Sequence, residues 1–348
     1  MFSLGACEMS RTLPRTTAAA LLIACLQRPG HAEPAAPDHA DHDPPAAPTP
    51  WLDLGTSPII EPSPPAPPRD HKYAAAFTLG GIYAGFTTWT YFAWYRKHKP
   101  LSEFRFGGDG WFGARTYAGG ADKLGHAWAT MGLARVGTEM LHQWGGYDKL
   151  TSTLVSTALS EVLFLGVEVK DGFYYEFSYG DAAFDTLGAV AGAALSLSPR
   201  LDELFDFRVE YWPSHEYRRQ LDGGNVNVAE DYSGETYLLA LHLGGLHSLR
   251  DASWGSWSRF VDVAVGFGTR GYKPDPPNRE TQPDYPHRQE LSIGLSLNVQ
   301  GLSDWLFEGR SRAAKKIGHA VFEVFNVGYL PVVEHTMVPN GTVRMDGA

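Results

Sequence analysis

The chain has 348 residues and a formal net charge of −10, with 43% hydrophobic and 20% charged residues. This length suits one large domain or two small ones, and the apolar content is sufficient for a core. The low share of charged residues, together with 10 Trp and 16 Tyr, favours a protein of a membrane or an interface, where amphipathic rings anchor. An acidic chain without a cluster of Lys and Arg excludes nucleic acid as the expected partner.

The first 32 residues have the pattern of an export signal. A small positive segment precedes the apolar run 16–24, which is too short to span a bilayer. Cys25 ends this run as in a lipobox, so we expect lipidation of Cys25, and ordinary cleavage after Ala32 is the alternative. Cys7, the other cysteine, lies in the same segment. The mature protein is therefore predicted to leave the cytoplasm and to lack disulfides and thiolate metal ligands.

Residues 33–72 are predicted to form a disordered tether. The segment is rich in Pro and Ala and lacks apolar periodicity, so it cannot bury enough surface to fold. Its histidines offer a loose chelating group, but a solvated linker is the simpler interpretation.

Four apolar helices are predicted between residues 73 and 200 from helical periodicity and from glycine and proline stop signals. The first, 73–95, has about the length of a membrane span. It is rich in Gly, Ala and Thr, so it fits either a membrane helix or a helix of a bundle. A loop rich in glycine and aromatic residues follows over 101–120. The other three helices are expected at 121–144, 150–169 and 179–197.

The last three helices carry ionisable residues at helical spacing. On each of them, a pair stands four or seven positions apart and therefore lies on one helix face. The pairs are Asp122 and His126, Glu161 and Glu168, and Asp181 and Asp185. Because buried charge is costly unless it is paired or bound to a metal, the simplest arrangement points all three pairs at one common centre.

Two interpretations of this centre remain open. In the first, it is a site for acid–base chemistry or for a divalent metal, the one cofactor considered, as helical bundles build from carboxylates and histidine. In the second, it is a structural network in which Lys123 and Arg135 neutralise the acids, and acids near helix N-termini interact with the helix dipole. The candidate catalytic residues are His126, Asp122, Glu168 and Asp181. The other members of the predicted buried polar cluster are Lys123, Glu161, Asp171 and Asp185.

The same residues resemble a known family. Three motifs in order are similar to the YfiM-like family of uncharacterised predicted periplasmic lipoproteins: Asp122-Lys123-x-x-His126, Glu168-x-x-Asp171-Gly172 and Ser178-x-Gly180-Asp181-x-x-x-Asp185-x-x-Gly188. The resemblance covers about Trp94 to Pro331, and the opening motif is also similar to VanZ-like membrane proteins. It implies an envelope location and supplies no established catalytic residues. Asp185 stands where we expect Asn in that family, and the extra charge raises the cost of a buried cluster.

Beyond Pro199 the apolar period changes from helical to two, which predicts antiparallel strands. One face of this sheet would lie against either the bundle or lipid. The basic side chains of a following helix, Arg310, Arg312, Lys315 and Lys316, would contact either solvent or acidic lipid headgroups. The expected elements are strands at 207–212, 237–243, 260–267 and 291–297, a loop at 271–287, a helix at 302–325 and a last strand at 329–338.

The sequence as a whole predicts an α+β protein. An apolar bundle of about four helices over 73–200 is followed over 201–348 by a small antiparallel sheet and a C-terminal helix packed on the bundle. The predicted function is that of a non-catalytic bacterial envelope protein at the periplasmic face of a membrane, expected to be the outer membrane, with membrane lipid or envelope proteins as partners. The alternatives are a membrane-interface hydrolase or transferase acting on a lipid or glycolipid through the His/carboxylate cluster, and a bundle that binds a small ligand or ion. The sequence contains no Gly-x-Ser-x-Gly motif and no phosphate-binding glycine loop.

Overall fold

The computed structural model describes residues 71–107, 110–113, 116–221, 224, 226–252, 255–273, 287–308 and 312–337. A helical bundle is followed by a five-stranded antiparallel sheet and two further helices, which confirms the α+β prediction. The predicted export signal with Cys25, nearly all of the predicted tether, Arg310 and the side chain of Arg312 lie outside the described residues.

The bundle consists of four long helices. The first two, α1 and α2, each continue into a π-helical turn, which ends at Tyr95 and Trp144 respectively. A short helix α5 connects the bundle to the sheet. The bounds are α1 Lys72–Thr90, α2 Ala121–Glu139, α3 Lys149–Tyr174, α4 Tyr179–Leu197 and α5 Pro199–Leu204.

Helix α3 is longer than predicted. The expected end near residue 169 is wrong, because the helix continues to Tyr174 and includes Asp171. Gly172 resembles a stop signal in the sequence, but here it makes room for a ring: a Cβ atom at Gly172 would lie 2.2 Å from an atom of the Phe104 side chain. Among the helices of the described residues, α3 is the one that is long and apolar enough to cross a membrane, by length and composition alone.

Two glycines bring α4 close to α2. A Cβ atom at Gly188 would lie 2.2 Å from the carbonyl oxygen of Ala127, and one at Gly192 would lie 3.0 Å from that of Met131. Small residues four positions apart allow two helix backbones to touch, as they do in membrane bundles. The helix faces that carry the ionisable residues are thereby brought together.

The five strands of the sheet pair in chain order, each antiparallel to the next. A separate parallel pair, β1 Phe106–Gly107 and β2 Phe177–Ser178, joins the loop after α1 to the start of α4. Two short helices, α6 His215–Leu221 and α7 His247–Arg250, lie in the connections. The strands of the sheet are β3 Phe205–Tyr211, β4 Glu235–His242, β5 Val261–Arg270, β6 Arg288–Leu297 and β7 Tyr329–Met337.

The predicted single helix over 302–325 is wrong. Two helices occupy this region, α8 Val299–Leu306 and α9 Arg312–Val324. The side chain of Asn298 caps α8 by accepting a hydrogen bond of 2.7 Å from the backbone of Gly301.

One face of the sheet buries charged side chains. Arg208, only 1% exposed, donates hydrogen bonds to Asp206 and Asp262. His242 lies between the same two carboxylates, with Nδ1 2.8 Å from Asp262 and Nε2 3.0 Å from Asp206. The amide nitrogen of Asn298 donates to Asp262 at 3.0 Å. The strand periodicity does not reveal this cluster, since the buried positions of a sheet are expected to be apolar.

We expect Gly188→Ala to lower the free energy of unfolding by about 1–3 kcal/mol, because the added methyl group forces the backbones of α2 and α4 apart. Gly166→Ala on α3 is the matched control, since among the described residues no atom beyond its chain neighbours and the nearby backbone of α3 lies within 4 Å of a Cβ at that position. Alanine should stabilise that helix by up to about 1 kcal/mol. Denaturant unfolding of both variants measures the difference, and equal stability of the two would contradict the close contact.

The stability of the sheet should depend on the protonation of His242. Burial lowers the pKa of His242, but the hydrogen bonds and charges of Asp206 and Asp262 outweigh burial and raise it from 6.5 to about 9. Because the folded pKa exceeds the unfolded one, the stabilisation is complete below pH 6.5 and is lost as pH rises through 9. The rise corresponds to a contribution on the order of 3 kcal/mol.

Unfolding measured at a series of pH values from about 6 to 10 tests this dependence. The variant His242→Gln should lose most of the decline in stability above neutral pH, whereas His247→Gln, at a half-exposed position, should retain it. An unchanged pH profile in His242→Gln would show that another group carries the effect.

Candidate functional site

The ionisable residues of α2, α3 and α4 meet inside the bundle. Helix α2 contributes Asp122, Lys123 and His126, and α3 contributes Glu168. Helix α4 contributes Asp181 and Asp185. Five of these six residues are buried, and the side chain of His126 is 20% exposed. The structure therefore brings together five of the six residues of the predicted pairs, with Lys123 beside them.

The N-terminus of α4 positions its first acid. Ser178 is the N-cap residue, and its hydroxyl accepts a hydrogen bond of 3.2 Å from the backbone of Asp181. Gly180 leaves space for the lysine, because a Cβ atom there would lie 2.6 Å from Cε of Lys123. Local sequence thus fixes both the start of the helix and the room beside it.

Lys123 forms a buried ion-pair triplet. Its side chain is 0% exposed, and its Nζ lies 2.9 Å from Oδ2 of Asp122 and 2.7 Å from Oδ1 of Asp181. A buried ammonium group is tolerated only where carboxylates compensate its lost hydration, and both carboxylates do so here. This half of the cluster is held together by its own charges.

His126 and Asp185 form the other half. Nδ1 of His126 lies 2.9 Å from Oδ1 of Asp185, and the hydroxyl of Thr130 donates to the same oxygen at 3.1 Å. Oε1 of Glu168 lies 3.8 Å from the same Nδ1. The other oxygen of Glu168 accepts a hydrogen bond of 3.2 Å from the backbone of Ser178. One imidazole and two carboxylates therefore face one another across three helices.

The pKa values of His126 and Glu168 are both raised. Burial lowers the pKa of His126, but the charges of Asp181 and Asp185 outweigh it, so the pKa lies well above 6.5. Burial raises the pKa of Glu168 to about 8, against the opposing charge of His126. Both shifts favour the protonated forms of the two groups. Chemically, the trio can donate a proton or exchange its protons for a cation.

Two predicted members do not join the centre. Glu161 accepts a hydrogen bond of 2.7 Å from the hydroxyl of Thr186 instead. Asp171 accepts one of 2.7 Å from the hydroxyl of Tyr95, and burial raises the pKa of Asp171 to about 6. Both residues lie near the cluster along α3, but their nearest partners are neutral hydroxyls.

The expectation that Arg135 neutralises the central acids is wrong. Its guanidinium binds Asp202 and Glu323, which lie outside the cluster. Thr130 and Ser178 donate hydrogen bonds to the cluster, a role that the sequence analysis did not assign to them. Thr130 stands four residues after His126, and Ser178 stands three residues before Asp181. Both spacings are signals that helix-face and N-cap rules would have identified.

The comparisons with known proteins cover this part of the chain. Residues 108–197 match the model of a family described as "Predicted periplasmic lipoprotein (DUF2279)". The matched segment contains α2, α3, α4 and every member of the cluster. No curated protein and no solved structure matches the chain. The similarity to YfiM-like and VanZ-like proteins stays a prediction. The chain thus carries a segment similar to an uncharacterised periplasmic lipoprotein family, and this supports a cell-envelope location.

Proposed function

We propose that the protein is a non-catalytic envelope protein that binds membrane lipid through an exposed apolar surface. We define the apolar surface as the outward-facing large apolar residues of α3, α4 and strands β5 to β7. We propose that this membrane is the outer membrane and that the protein lies on its periplasmic face. The observation that carries the proposal is the inverted polarity of the sheet and of α3.

The inversion is clearest on β6. The serines Ser292 and Ser296 are 7% and 3% exposed. In an antiparallel sheet that faces water on one side, polar residues occupy the exposed positions and apolar residues the buried ones. Here the apolar residues are the exposed ones, between 42% and 54%: Leu291, Ile293, Leu295 and Leu297.

Helix α3 shows the same inversion. Its exposed side includes Leu154 at 57% and Val162 at 68%. An amphipathic helix in water buries its large apolar residues and exposes its hydroxyls, so this helix is suited to apolar surroundings. The hydroxyl residues on its buried side are all 0% exposed: Ser152, Thr153, Ser156 and Ser160.

The helical and sheet parts of the apolar surface are joined by aromatic contacts. The ring of Phe112 lies 5.6 Å from that of Phe184 on α4 and 5.5 Å from that of Phe267 on β5. Exposed apolar residues continue on α4 with Leu187 at 56% and on β7 with Val333 at 65%. Apolar patches of this extent mark sites of membrane or protein interaction.

The edge of the sheet limits how deeply it can insert. Strand β7 pairs with β6 on one side and ends the strand order on the other. Unpaired backbone groups are not tolerated in the hydrocarbon layer. We therefore propose that the apolar surface enters the acyl chains of one leaflet while the edge of β7 stays among the headgroups. Since the chain has a net charge of −10, apolar burial rather than attraction to acidic lipid would supply the binding energy.

A hydrolase or transferase acting on a lipid or glycolipid is the second candidate function. One observation favours it: His126, Glu168 and Asp185 place possible ligand or acid–base atoms within 4.8 Å of one another. The proposed lipid contact would bring such a substrate to the same molecule. This candidate ranks second because the cluster supplies no nucleophile motif.

Membrane flotation tests the apolar surface. The chain is purified as Cys25→Ser, so that no lipid anchor contributes, and is mixed with zwitterionic phospholipid vesicles. We expect it to float with the vesicles. Ile293 and Val333 are paired across β6 and β7. The double variant Ile293→Glu/Val333→Glu should weaken partitioning into the vesicles by at least about a hundredfold, because two apolar side chains that would be buried in lipid are lost.

The matched control is Val226→Glu/Val228→Glu, which changes two exposed valines outside the apolar surface and should float like the parent. Equal flotation of both double variants would contradict the assignment of the surface. If the parent protein remains a soluble dimer and does not float with the vesicles, a second copy of the chain, not lipid, covers this surface.

The second candidate predicts turnover. Wild-type protein incubated with envelope phospholipids and glycolipids would release an acyl, phosphate or sugar product, and His126→Ala would reduce the rate by about a hundredfold or more. No product release in wild type would leave the non-catalytic proposal in place, and product release that is unchanged in His126→Ala would show that the His/carboxylate cluster is not its source.

A further inference from the structure

We infer that His126, Glu168 and Asp185 bind a single divalent transition-metal ion, with Zn²⁺ as the expected ion. The three residues come from α2, α3 and α4, so the ion would join three helices of the bundle. Their possible ligand atoms all lie within 4.8 Å of one another. The inference is independent of the proposed lipid contact, because it concerns the interior of the bundle.

The distances fit a common ion. Zinc bonds to imidazole nitrogen and carboxylate oxygen are about 2.0–2.2 Å long, which places two ligand atoms of a tetrahedral site about 3.4 Å apart. Nδ1 of His126 lies 2.9 Å from Oδ1 of Asp185 and 3.8 Å from Oε1 of Glu168. These separations lie on either side of the tetrahedral value, so small rotations of the side chains complete the geometry.

The charges of the cluster also favour a cation. The cluster contains four carboxylates, each at most 8% exposed: Asp122, Glu168, Asp181 and Asp185. Lys123 directly contacts two of them, Asp122 and Asp181. The other two, Glu168 and Asp185, lie beside His126 instead. A divalent ion would compensate both of these carboxylates at once, which one imidazolium cannot do.

An unsatisfied oxygen points to the same ligand. Asp185 is 0% exposed, and its Oδ2 has no hydrogen-bond partner in the part of the chain that the structure describes. The pair with His126 and the hydroxyl of Thr130 accounts for Oδ1 alone. A fully buried carboxylate oxygen without a partner is costly. Coordination of a metal by both oxygens of this carboxylate would remove that cost.

The donor set narrows the class of ion. Imidazole suits Zn²⁺ and its transition-metal neighbours, whereas Mg²⁺ and Ca²⁺ prefer sites made of oxygen alone. Outer hydrogen bonds orient both carboxylates, from Thr130 to Asp185 and from the backbone of Ser178 to Glu168. Three protein ligands leave a fourth position, and the partial exposure of His126 allows water to reach it.

The experiment uses the mature full-length chain in detergent. It is stripped with a chelator and dialysed against Zn²⁺, Mn²⁺ or Mg²⁺, and bound metal is measured by mass spectrometry. We expect about one tightly bound Zn²⁺ per chain, as at a three-ligand site, and weaker binding of Mg²⁺. Asp185→Asn and Glu168→Gln should each weaken Zn²⁺ binding by more than about a hundredfold, and Thr130→Val by about tenfold.

Glu161→Gln is the matched control, because it changes a carboxylate of α3 that bonds Thr186 and lies outside the trio. It should bind Zn²⁺ like wild type. The comparison also separates this site from chelation by the histidines near the N-terminus, which all variants retain. Equal zinc content in Asp185→Asn and wild type, or no bound zinc in wild type, would overturn the inference.

A spectroscopic readout covers the case in which the variants do not fold. Co²⁺ substituted into wild-type protein should give the intense visible bands of a four- or five-coordinate site with one nitrogen ligand. The weak spectrum of six-coordinate aqueous Co²⁺, in folded wild-type protein, would overturn the inference without any variant.

Discussion

The contact between Gly188 and the backbone of Ala127 sets the distance between the two helices on which the rest of the bundle depends. His126 immediately precedes Ala127, and Asp185 lies one turn before Gly188, so their side chains meet beside the contact. Helix axes normally lie 8–10 Å apart. Aspartate is short and could not reach the neighbouring imidazole if larger side chains separated the backbones. The glycine is therefore a condition for the polar cluster as well as for packing.

Once the cluster is enclosed, every charge in it needs a partner. Lys123 is compensated by two aspartates, and His126 by Asp185. The sheet solves the same problem with Arg208 and His242 between Asp206 and Asp262. Large apolar side chains are also found on the outside of the protein, on α3, α4 and the strands. Such side chains make up much of the chain's hydrophobic content.

The sequence predicted what depends on local periodicity. The four bundle helices and the strands of the sheet follow from spacing and stop signals, and the shared faces of Asp122 and His126, and of Asp181 and Asp185, follow from the helical repeat. The sequence could not supply the distances between elements. Glu161 and Glu168 share a helix face, yet only Glu168 reaches His126, because Thr186 of the neighbouring helix lies opposite Glu161. Arg135 looked like a counter-charge and instead binds Glu323, nearly two hundred residues away.

The polarity of the sheet illustrates a deeper limit. Alternation along β6 shows that Leu291 and Ser292 point to opposite faces, but it does not say which face is buried. The rule that apolar residues lie inside holds for a surface in water, and on β6 it would select the face of Leu291, which is exposed here. If lipid covers the outer face, the surroundings of the cluster have a low dielectric constant, and the attraction between its charges is stronger than in water. The same surroundings make an uncompensated charge more costly. An apolar exterior and a largely paired polar interior are therefore two results of one constraint. Among the described residues, Oδ2 of Asp185 has no hydrogen-bond partner. A cation shared by Glu168, Asp185 and His126 would satisfy the constraint at this point.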